Sequence, residues 1–472
     1  MVSQVHQHRY EHAVGKLRSN LRGDVILPGD AAYDVERKVW NGLYNHYPAA
    51  IVRCVDAEDV RMAVNFAREL GIQISVRSGG HSLVGYGSND GGLVIDLANL
   101  KTITIDPVRR TARLEPGLTW GEVANALQPF GLAMTAGDTA SVGVGGLIVG
   151  GGIGWMVRAY GLTIDHLRSV ELVTADGQLL RASANEHPEL FWGLRGGGGN
   201  FGIATAFELD LHPGGMILGG IVFYEATEAE YILQEYVRLA TAAPDGLTTQ
   251  ALYTLAPPAP FIPPDKQGKP IVGIFVCYTG DLSEGERVLA PLRQIATPIA
   301  DLIAPMPYPN IFSFTEIAVV PGMQHHGRSL LFETFSEEIL HTLVEASQSV
   351  MAPEMTVFLR VLGGAMSRVA PEATAFAHRD KQGMVLITNF APLSVDAASL
   401  NARTQQVFQA LLPYSHSAYV NFLADEGEKG VHQAYPPATY DRLVALKNQY
   451  DPTDLFRLNQ NIKPTVPAAL TA

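Results

Sequence analysis

The sequence predicts an α+β protein built from two regions of different character. Three observations support this prediction. Helix and strand signals alternate along all 472 residues, glycine-rich stretches are concentrated before residue 215, and longer apolar strand-like runs separated by proline-rich joints follow it. We therefore expect a first domain over residues 1–214 that brings its backbone close to a ligand. A second domain over residues 215–416 is expected to contain an antiparallel sheet with helices on one face.

Local signals define the elements of the first region. Asp56 is placed to cap a helix that apolar residues continue at helical spacing and Gly71 ends. An Asp-Gly pair at 176–177 lies between two strand-like runs, which is typical of a hairpin. The predicted elements are a helix over 56–71, strands over 72–76 and 91–100, a hairpin over 102–117, a helix over 119–131 and a hairpin over 170–183.

The second region shows the same alternation without glycine clusters. After it, residues 417–464 contain a further strand, a helix and a loop that ends in Asn-Gln-Asn-Ile. The runs of the second region are a helix-like one at 226–244 and strand-like ones at 247–256, 270–279, 356–364 and 383–393.

Composition and charge restrict the classes of partner. The formal net charge of −13 argues against nucleic acids and anionic membranes, because both require a basic face. Cys54 and Cys277 lie in apolar runs without metal-ligand spacing, and we expect both to be buried free thiols. The N-terminal stretch lacks the apolar core of a secretory signal, and no run approaches the ~18 apolar residues of a membrane helix. These features indicate a cytoplasmic protein.

Three predicted glycine-rich loops point to a ligand. The string RSGGHSLVGYG (77–87) follows a strand and sets His81 among four glycines, a cradle in which backbone N–H groups can reach a phosphate. A glycine turn with a capping histidine explains this one string equally well. The further clusters at 143–154 and 196–202 exceed what turns require, so we expect a large phosphate-bearing cofactor. No dinucleotide-binding GxGxxG fingerprint with an acidic residue about 20 positions on can be placed, and no GxSxG, HExxH or CxxC string is present.

Four strings in series resemble one known family. They are SVRSGGHSLVGYG (75–87), the run from GVGG to TADG (143–177), LFWGLRGGGGNFGI (190–203) and YDPTDLFRLNQNI (450–462). In this order they resemble the berberine-bridge-enzyme-like FAD-linked oxidases, a branch of the vanillyl-alcohol-oxidase type flavoproteins. The resemblance implies a two-lobed FAD-binding domain, an inserted substrate-binding domain and a return of residues 417–472 to the FAD-binding domain.

The same resemblance implies roles for individual residues. In this family the histidine of the RSGGH string is bonded covalently to the 8α-methyl group of the flavin, which points to His81. A neutral imidazole is a competent nucleophile near neutral pH. The other residues that the resemblance places on the cofactor are Arg77, Ser78, Gly79, Gly80, Ser82, Gly137, Gly145, Gly146, Gly198, Gly202, Ile203, Tyr419, Asn421, Asn459 and Asn461.

Two positions depart from the family pattern. Thr139 stands where many relatives carry a cysteine that forms a second covalent link, so we expect attachment of FAD through His81 only. Phe422 stands where relatives often carry a tyrosine that acts as catalytic base. We expect a replacement from the substrate domain, with Tyr253 as the first candidate and Asn389 and His378 as alternatives. A half-buried sheet tyrosine explains Tyr253 equally well.

Two further positions bear on the chemistry. By the resemblance, Val142 lies where O2 approaches the flavin, and a residue smaller than leucine there is typical of oxidases. The adjacent pair His325 and His326 is expected in a solvated loop, because neighbouring side chains point apart and cannot share one metal ion. We therefore expect no metal site.

The predicted function is that of an FAD-dependent oxidase. It would take a hydride from an alcohol, an amine or an activated C–H bond of a small organic substrate and reduce O2 to H2O2. The alternatives are an oxidative cyclase or tailoring enzyme of a biosynthetic pathway, a dehydrogenase that uses another acceptor, and a flavin-binding protein without turnover. The sequence leaves the substrate and the oligomeric state open.

Overall fold

The computed structural model of the chain describes residues 2–316 and 319–465. Two small sheets and a two-stranded pair precede residue 214, and one large sheet lies between residues 216 and 391. The C-terminal stretch packs back into the core of the first region, where Tyr419 and Ile462 join Trp120 and Phe207. None of the helices in the two described ranges combines the length and the apolar character needed to cross a membrane.

The first small sheet carries the strand that precedes the RSGGH string. It contains β1 (Asp24–Ile26), β2 (Ala50–Arg53), β3 (Ile74–Arg77) and β4 (Leu93–Asp96) in the order β1-β2-β4-β3. β4 is buried along its whole length because β2 and β3 flank it in parallel. The helices nearby are α1 (Val2–Asn20), α2 (Tyr33–Glu36) and α3 (Ala57–Leu70). The predicted ends of α3 are confirmed: the Asp56 carboxylate accepts the Asp59 N–H at 2.9 Å, and Gly71 is left-handed.

The second small sheet is antiparallel and contains both predicted hairpins. Its order is β5-β6-β10-β8-β9, and two short strands pair beside it as β11-β7. The strands are β5 (Ile103–Asp106), β6 (Thr111–Leu114), β7 (Leu132–Ala133), β8 (Leu167–Val173), β9 (Leu179–Ser183), β10 (Ile203–Asp210) and β11 (His212–Pro213). The helices are α4 (Trp120–Leu127), α5 (Val144–Gly150), α6 (Val157–Tyr160) and α7 (Pro188–Leu194).

Part of the second glycine-rich string is a helix, α5, where the sequence predicted a loop. Val144 and Ile148 are buried one turn apart and hold this helix in the core. A Cβ on Gly145 would lie 2.9 Å from the Pro116 Cβ, so close packing requires glycine there. Tertiary packing thus outweighs the low helix propensity of glycine.

The large sheet is antiparallel throughout, which confirms the predicted α+β class. Its order is β15-β12-β14-β13-β18-β19-β17, with β16 also paired to β12. The strands are β12 (Met216–Glu225), β13 (Leu247–Leu255), β14 (Pro270–Tyr278), β15 (Pro298–Asp301), β16 (Ala304–Pro307), β17 (Gln324–Phe332), β18 (Met355–Val361) and β19 (Gly383–Ala391). The helices are α8 (Ala229–Ala242), α9 (Leu282–Arg293), α10 (Ser313–Glu316), α11 (Glu337–Gln348) and α12 (Ala397–Leu411).

The two faces of the large sheet have different neighbours. One face packs on α8, α11 and α12, and Tyr253 lies there with Leu343 and Val407. The other face packs on the first region, and Leu252 lies there with Trp155. Successive residues of β13 alternate between these faces.

A buried cation holds the C-terminal stretch, which contains α13 (Gly427–Ala434) and α14 (Pro437–Tyr450). Lys447 on α14 is fully buried, and its Nζ donates to the Asp451 carboxylate at 2.7 Å and to the Phe456 carbonyl at 2.8 Å. Burial raises the pKa of Asp451, and its contacts with Lys447 oppose that shift. This cluster fixes the loop that carries Asn459 and Asn461.

We expect Lys447→Met to destabilise the protein by about 3–5 kcal/mol, because it leaves the buried Asp451 carboxylate without its cation. The free energy of unfolding from denaturant titration measures this effect. The matched variant Lys463→Met, in which the lysine is exposed, should leave stability unchanged. Equal stability of the two variants would contradict the structural role of Lys447.

Candidate active site

The first four residues of the RSGGH string, 77–80, form one wall of a cavity of about 230 Å³. Ser78, Gly79 and Gly80 border this cavity directly after β3, and Val39 and Trp40 are also part of its lining. The φ angle of Gly80 is +70°, a conformation that favours glycine over all other residues. The wall therefore presents backbone to the cavity, as the sequence predicts for a phosphate cradle.

Arg77 braces this wall. Its Nη2 donates to the Asp96 carboxylate at 2.8 Å and its Nη1 donates to the Lys38 carbonyl at 3.1 Å. Because Asp96 neutralises the guanidinium charge, the backbone of the string is the better partner for a phosphate. Arg77 still borders the cavity, and its contact with the cofactor stays a prediction.

His81 follows the cradle and stacks on an aromatic array. Its ring centroid lies 4.9 Å from that of Trp40, which in turn stacks on His325 at 3.8 Å. Burial lowers the pKa of His81 to about 4, the proximity of His325 adds to this shift, and a contact with the Ser141 backbone opposes it. The imidazole is therefore neutral at pH 7.

The first two glycine strings are in direct backbone contact. A Cβ on Gly79 would lie 2.4 Å from the nitrogen of Gly143, so the contact excludes any side chain. The N–H of Gly145 donates to Ser78 Oγ at 3.2 Å. Gly146 is exposed, and a Cβ there would meet nothing within 4 Å. Helix α5 thus presents an open face beside the cradle.

A charged pair joins the first region to the large sheet. Its acidic member, Asp138, lies on the segment 137–142, which we name the Asp138 loop. The Asp138 carboxylate accepts from Arg360 Nη2 at 2.6 Å, and Arg360 also donates to the Gln250 side chain. Arg360 is 2% exposed and Asp138 is 24% exposed, so the carboxylate is the member of the pair that reaches open space. The indole N–H of Trp155 donates to the Asp138 carbonyl at 3.3 Å.

The sheet face around Arg360 is mostly apolar. Phe358 pairs with Leu386 across β18 and β19, and both are half-buried, as is Thr388. On β17 a Cβ at Gly327 would lie 3.2 Å from Leu83, which follows the RSGGH string. This face of the large sheet therefore meets the segment that directly follows the cradle.

The C-terminal return packs on helix α5 and on the glycines that follow it. The Tyr419 hydroxyl accepts from the Gly152 N–H at 2.9 Å and from Asn421 Nδ2 at 2.8 Å. Burial raises the pKa of Tyr419 to about 12. Phe422 packs edge-on against Tyr419, with 5.2 Å between ring centroids, because residues Val420–Phe422 form a 3₁₀ turn. The predicted strand, which would set these two rings on opposite faces, is wrong.

Comparison with known proteins supports the interpretation of the glycine-rich and C-terminal motifs as parts of an FAD-binding site. Residues 48–183 match the FAD binding domain family and residues 418–463 match the family described as berberine and berberine like. The (R)-6-hydroxynicotine oxidase of Paenarthrobacter nicotinovorans is 32% identical over 94% of this chain and 97% of its own length. The chain belongs to the berberine-bridge-enzyme-like family of FAD-linked oxidoreductases.

Other members of this family are similar over nearly the whole chain. The crystal structure of 6-hydroxy-D-nicotine oxidase from Arthrobacter nicotinovorans superimposes with a TM-score of 0.85 at 29% identity, covering 94% of this chain and 98% of that one. The xylooligosaccharide oxidase of Thermothelomyces thermophilus is 26% identical over 97% of this chain and 95% of its own length. The two-lobed fold with its inserted sheet and the enzymatic nature of the chain are thereby confirmed.

The site fits the FAD of this family. The Oδ1 atoms of Asn459 and Asn461 and the Oγ of Ser141 are buried, and none has a hydrogen-bond partner within the described ranges. A Cβ on Gly199 would meet nothing within 4 Å, which leaves space beside the third glycine string. A flavin ring and a diphosphate carry the donors and acceptors that these atoms lack. Contact of FAD with four further residues stays a prediction: Gly80, Ser82, Gly137 and Gly198.

Several predicted cofactor residues have structural partners. Asn459 Nδ2 donates to the Gly199 carbonyl at 3.1 Å, so it links the C-terminal loop to the third glycine string. A Cβ on Gly202 would lie 2.7 Å from Leu172, and Ile203 is buried in the core at the start of β10. Contact of these two residues with FAD through their backbone stays a prediction.

The structure corrects the predicted replacement base. Tyr253 is 1% exposed and packs on the helix face of the large sheet among Leu343 and Val407. Asn389 faces the helices as well, and its Nδ2 donates to Thr404 Oγ1 at 2.8 Å. Both side chains lie on the side of the sheet that faces away from the cradle. His378 is buried, with Nε2 2.9 Å from the Gln433 carbonyl.

The histidine pair is also corrected. His325 and His326 lie in β17 and not in a loop, and His325 is buried against Trp40. Both cysteines are buried and free, as predicted.

Sequence reasoning missed the polar groups of the site. Arg360 interrupts the apolar run TVFLRVLGG, and a charge inside a buried strand signals that it has a partner. Asp138 stands beside the position of the missing cysteine, but no local signal links it to a residue 222 positions away. Trp40 and Glu316 carried no signal at all.

Proposed function

We propose that this enzyme is an oxidase that carries FAD on His81 and oxidises a small organic substrate. One observation carries the proposal: a neutral, half-buried imidazole follows the glycine cradle and is held between Trp40 and the Ser141 backbone. The Ser141 contact raises the pKa of His81, which means that a ring N–H of the neutral imidazole donates to the Ser141 backbone. Its other nitrogen then keeps a lone pair for the bond to the cofactor. Thr139 offers no thiol, so His81 is the single attachment point.

When bound, FAD supplies a hydride acceptor that O2 can reoxidise with release of H2O2. The chain supplies the remaining chemistry. We propose that the Asp138 carboxylate accepts the proton from the substrate O–H or N–H, in the role assigned to Tyr253 from the sequence. Arg360 holds this carboxylate in position through a charge-assisted hydrogen bond, and Gln250 holds Arg360. The half-buried Phe358 and Leu386 favour a substrate with an apolar body.

The proposal is tested with a panel of amines and alcohols that includes 6-hydroxynicotine and xylooligosaccharides. We expect at least one compound to bleach the flavin anaerobically, and air to restore the colour with one H2O2 per turnover. Restoration only by quinones or dyes would contradict the oxidase and favour a dehydrogenase. A product with a rearranged skeleton would favour the cyclase alternative.

We expect Val142→Leu to slow reoxidation of the photoreduced holoenzyme by O2 about tenfold. Val142 is half-buried and packs against the core of the first region, and its carbonyl accepts the Trp120 N–H at 3.1 Å, so its backbone is fixed and a longer side chain would extend into the predicted O2 path. Stopped-flow absorbance of the flavin measures the rate. Val108→Leu, at a position that is 92% exposed, serves as the matched control. An unchanged rate in Val142→Leu would remove this residue from the O2 path.

A further inference from the structure

A short segment of the substrate domain lies on the Asp138 loop. It consists of the 3₁₀ turn Tyr308–Phe312 followed by α10, and we name it the bridge segment (308–316). Tyr308 and Phe312 are buried and, with Trp120 of the first region, line one small cavity. The bridge segment is therefore anchored in both regions before it reaches the loop.

Two adjacent residues of the bridge segment bind the backbone of the loop. The Glu316 carboxylate accepts the N–H of Ala140 at 3.0 Å and the N–H of Ser141 at 3.3 Å. The hydroxyl of Thr315 donates to the Asp138 carbonyl. Bonds to a charged acceptor are about twice as strong as neutral ones. The loop thus has a strong noncovalent attachment where Thr139 stands in place of the family's second covalent link.

The clamped peptides directly precede the Ser141 carbonyl that contacts His81, and the same loop continues into Gly143, whose backbone packs on Gly79 two residues before His81. Glu316 binds the N–H of Ser141, and the backbone of Ser141 contacts the His81 imidazole. A shift of the clamped peptides would displace the adjoining Ser141 carbonyl and so change which nitrogen of His81 is free and where it points. Thr139 itself bonds only to its neighbour Asp138 among the described contacts, at 3.2 Å, so it does not fix the loop.

We propose that Glu316 is a positioning residue that holds the Asp138 loop and thereby orients His81 for attachment of FAD. This inference rests on the proposed covalent link through His81. The net exchange replaces the imidazole N–H and one C–H of the 8α-methyl group by a C–N bond, and O2 takes up the two hydrogens as H2O2. Glu316 touches none of the reacting atoms and acts through the peptides of residues 140 and 141.

The test compares Glu316→Ala, Glu316→Gln and the control Glu345→Ala, which removes an exposed glutamate from α11. Hydrogen–deuterium exchange of peptides that cover residues 138–142 is measured on each holoenzyme. Intact mass under denaturing conditions gives the fraction of chains that carry one FAD after incubation with added FAD.

We expect exchange at residues 140 and 141 to rise at least about tenfold in Glu316→Ala, and the covalent fraction to fall. Glu316→Gln keeps an acceptor oxygen, so it should restore most of the protection from exchange and most of the covalent fraction. Glu345→Ala should match the wild type in both measurements. If Glu316 only stabilised the fold, the covalent fraction would not follow the exchange rate at residues 140 and 141 from one variant to the next. Thr315→Val, which removes the second tether, should show a smaller effect in the same direction.

Other outcomes would overturn the inference. Unchanged exchange in Glu316→Ala would show that the carboxylate does not hold the loop. Faster exchange with an unchanged covalent fraction would show that the loop does not orient His81. A wild-type chain that carries no covalent FAD would refute the proposed attachment itself, while the exchange data would still decide whether Glu316 clamps the loop.

Discussion

His81→Ala is expected to abolish the mass increase of one FAD that the denatured wild-type chain should show. The variant loses the imidazole that directly follows the glycine cradle, and Thr139 offers no thiol for a second link. Intact mass and visible absorbance after denaturation measure the effect. His326→Ala, which removes a half-buried histidine from β17, should keep the full mass increase.

The outcomes of this experiment separate three situations. A yellow small molecule released from an unmodified wild-type chain would mean that FAD is bound without a covalent bond, and the proposed role of His81 would be wrong. A mass increase that persists in His81→Ala would require a second attachment point. Retention of noncovalent FAD by His81→Ala would show that the variant still folds, since the cradle and the C-terminal asparagines remain intact.

Asp138→Asn is expected to slow anaerobic flavin reduction about 10²- to 10⁴-fold with the best substrate of the panel. The amide has nearly the same shape as the carboxylate but accepts no proton, and its partner Arg360 stays in place. Stopped-flow absorbance under anaerobic conditions measures the reduction rate. Reoxidation by O2 should stay at the wild-type rate, because it needs no substrate base.

A matched control is available on the other face of the large sheet. Asp425 also pairs with a buried arginine, Arg328, whose side chain lies on the opposite side of β17 from His325. Asp425→Asn should therefore reduce the flavin at the wild-type rate. Equal rates in Asp138→Asn and Asp425→Asn would exclude Asp138 as the proton acceptor. A parallel loss of FAD content in Asp138→Asn would instead assign Asp138 to cofactor binding.

Elements with local causes were predictable from the sequence. Helix α3 begins at an Asp56 side chain that bonds three residues on and ends at left-handed Gly71. The β8–β9 hairpin follows from its Asp-Gly turn. The cradle that precedes His81 was predictable for the same reason, because Ser78, Gly79 and Gly80 are consecutive and shape it together.

Features that depend on distant partners were not predictable. The helix α5 forms across glycines because Val144 and Ile148 find a core. His325 is buried because Trp40, far earlier in the chain, stacks on it. Tyr253 was assigned to the wrong side of β13, since alternation tells which residues share a face but not which face meets the helices.

The sequence by itself determined the family, the cofactor cradle, the position of His81 and the absence of a cysteine at Thr139, because each lies in one contiguous string. Only the tertiary structure revealed the groups that we propose to accept the proton and to clamp the loop. Asp138, Arg360 and Glu316 come from three separate segments and meet only when the large sheet docks on the first region. A buried arginine requires a partner charge, yet the sequence does not specify which carboxylate folding will bring to it.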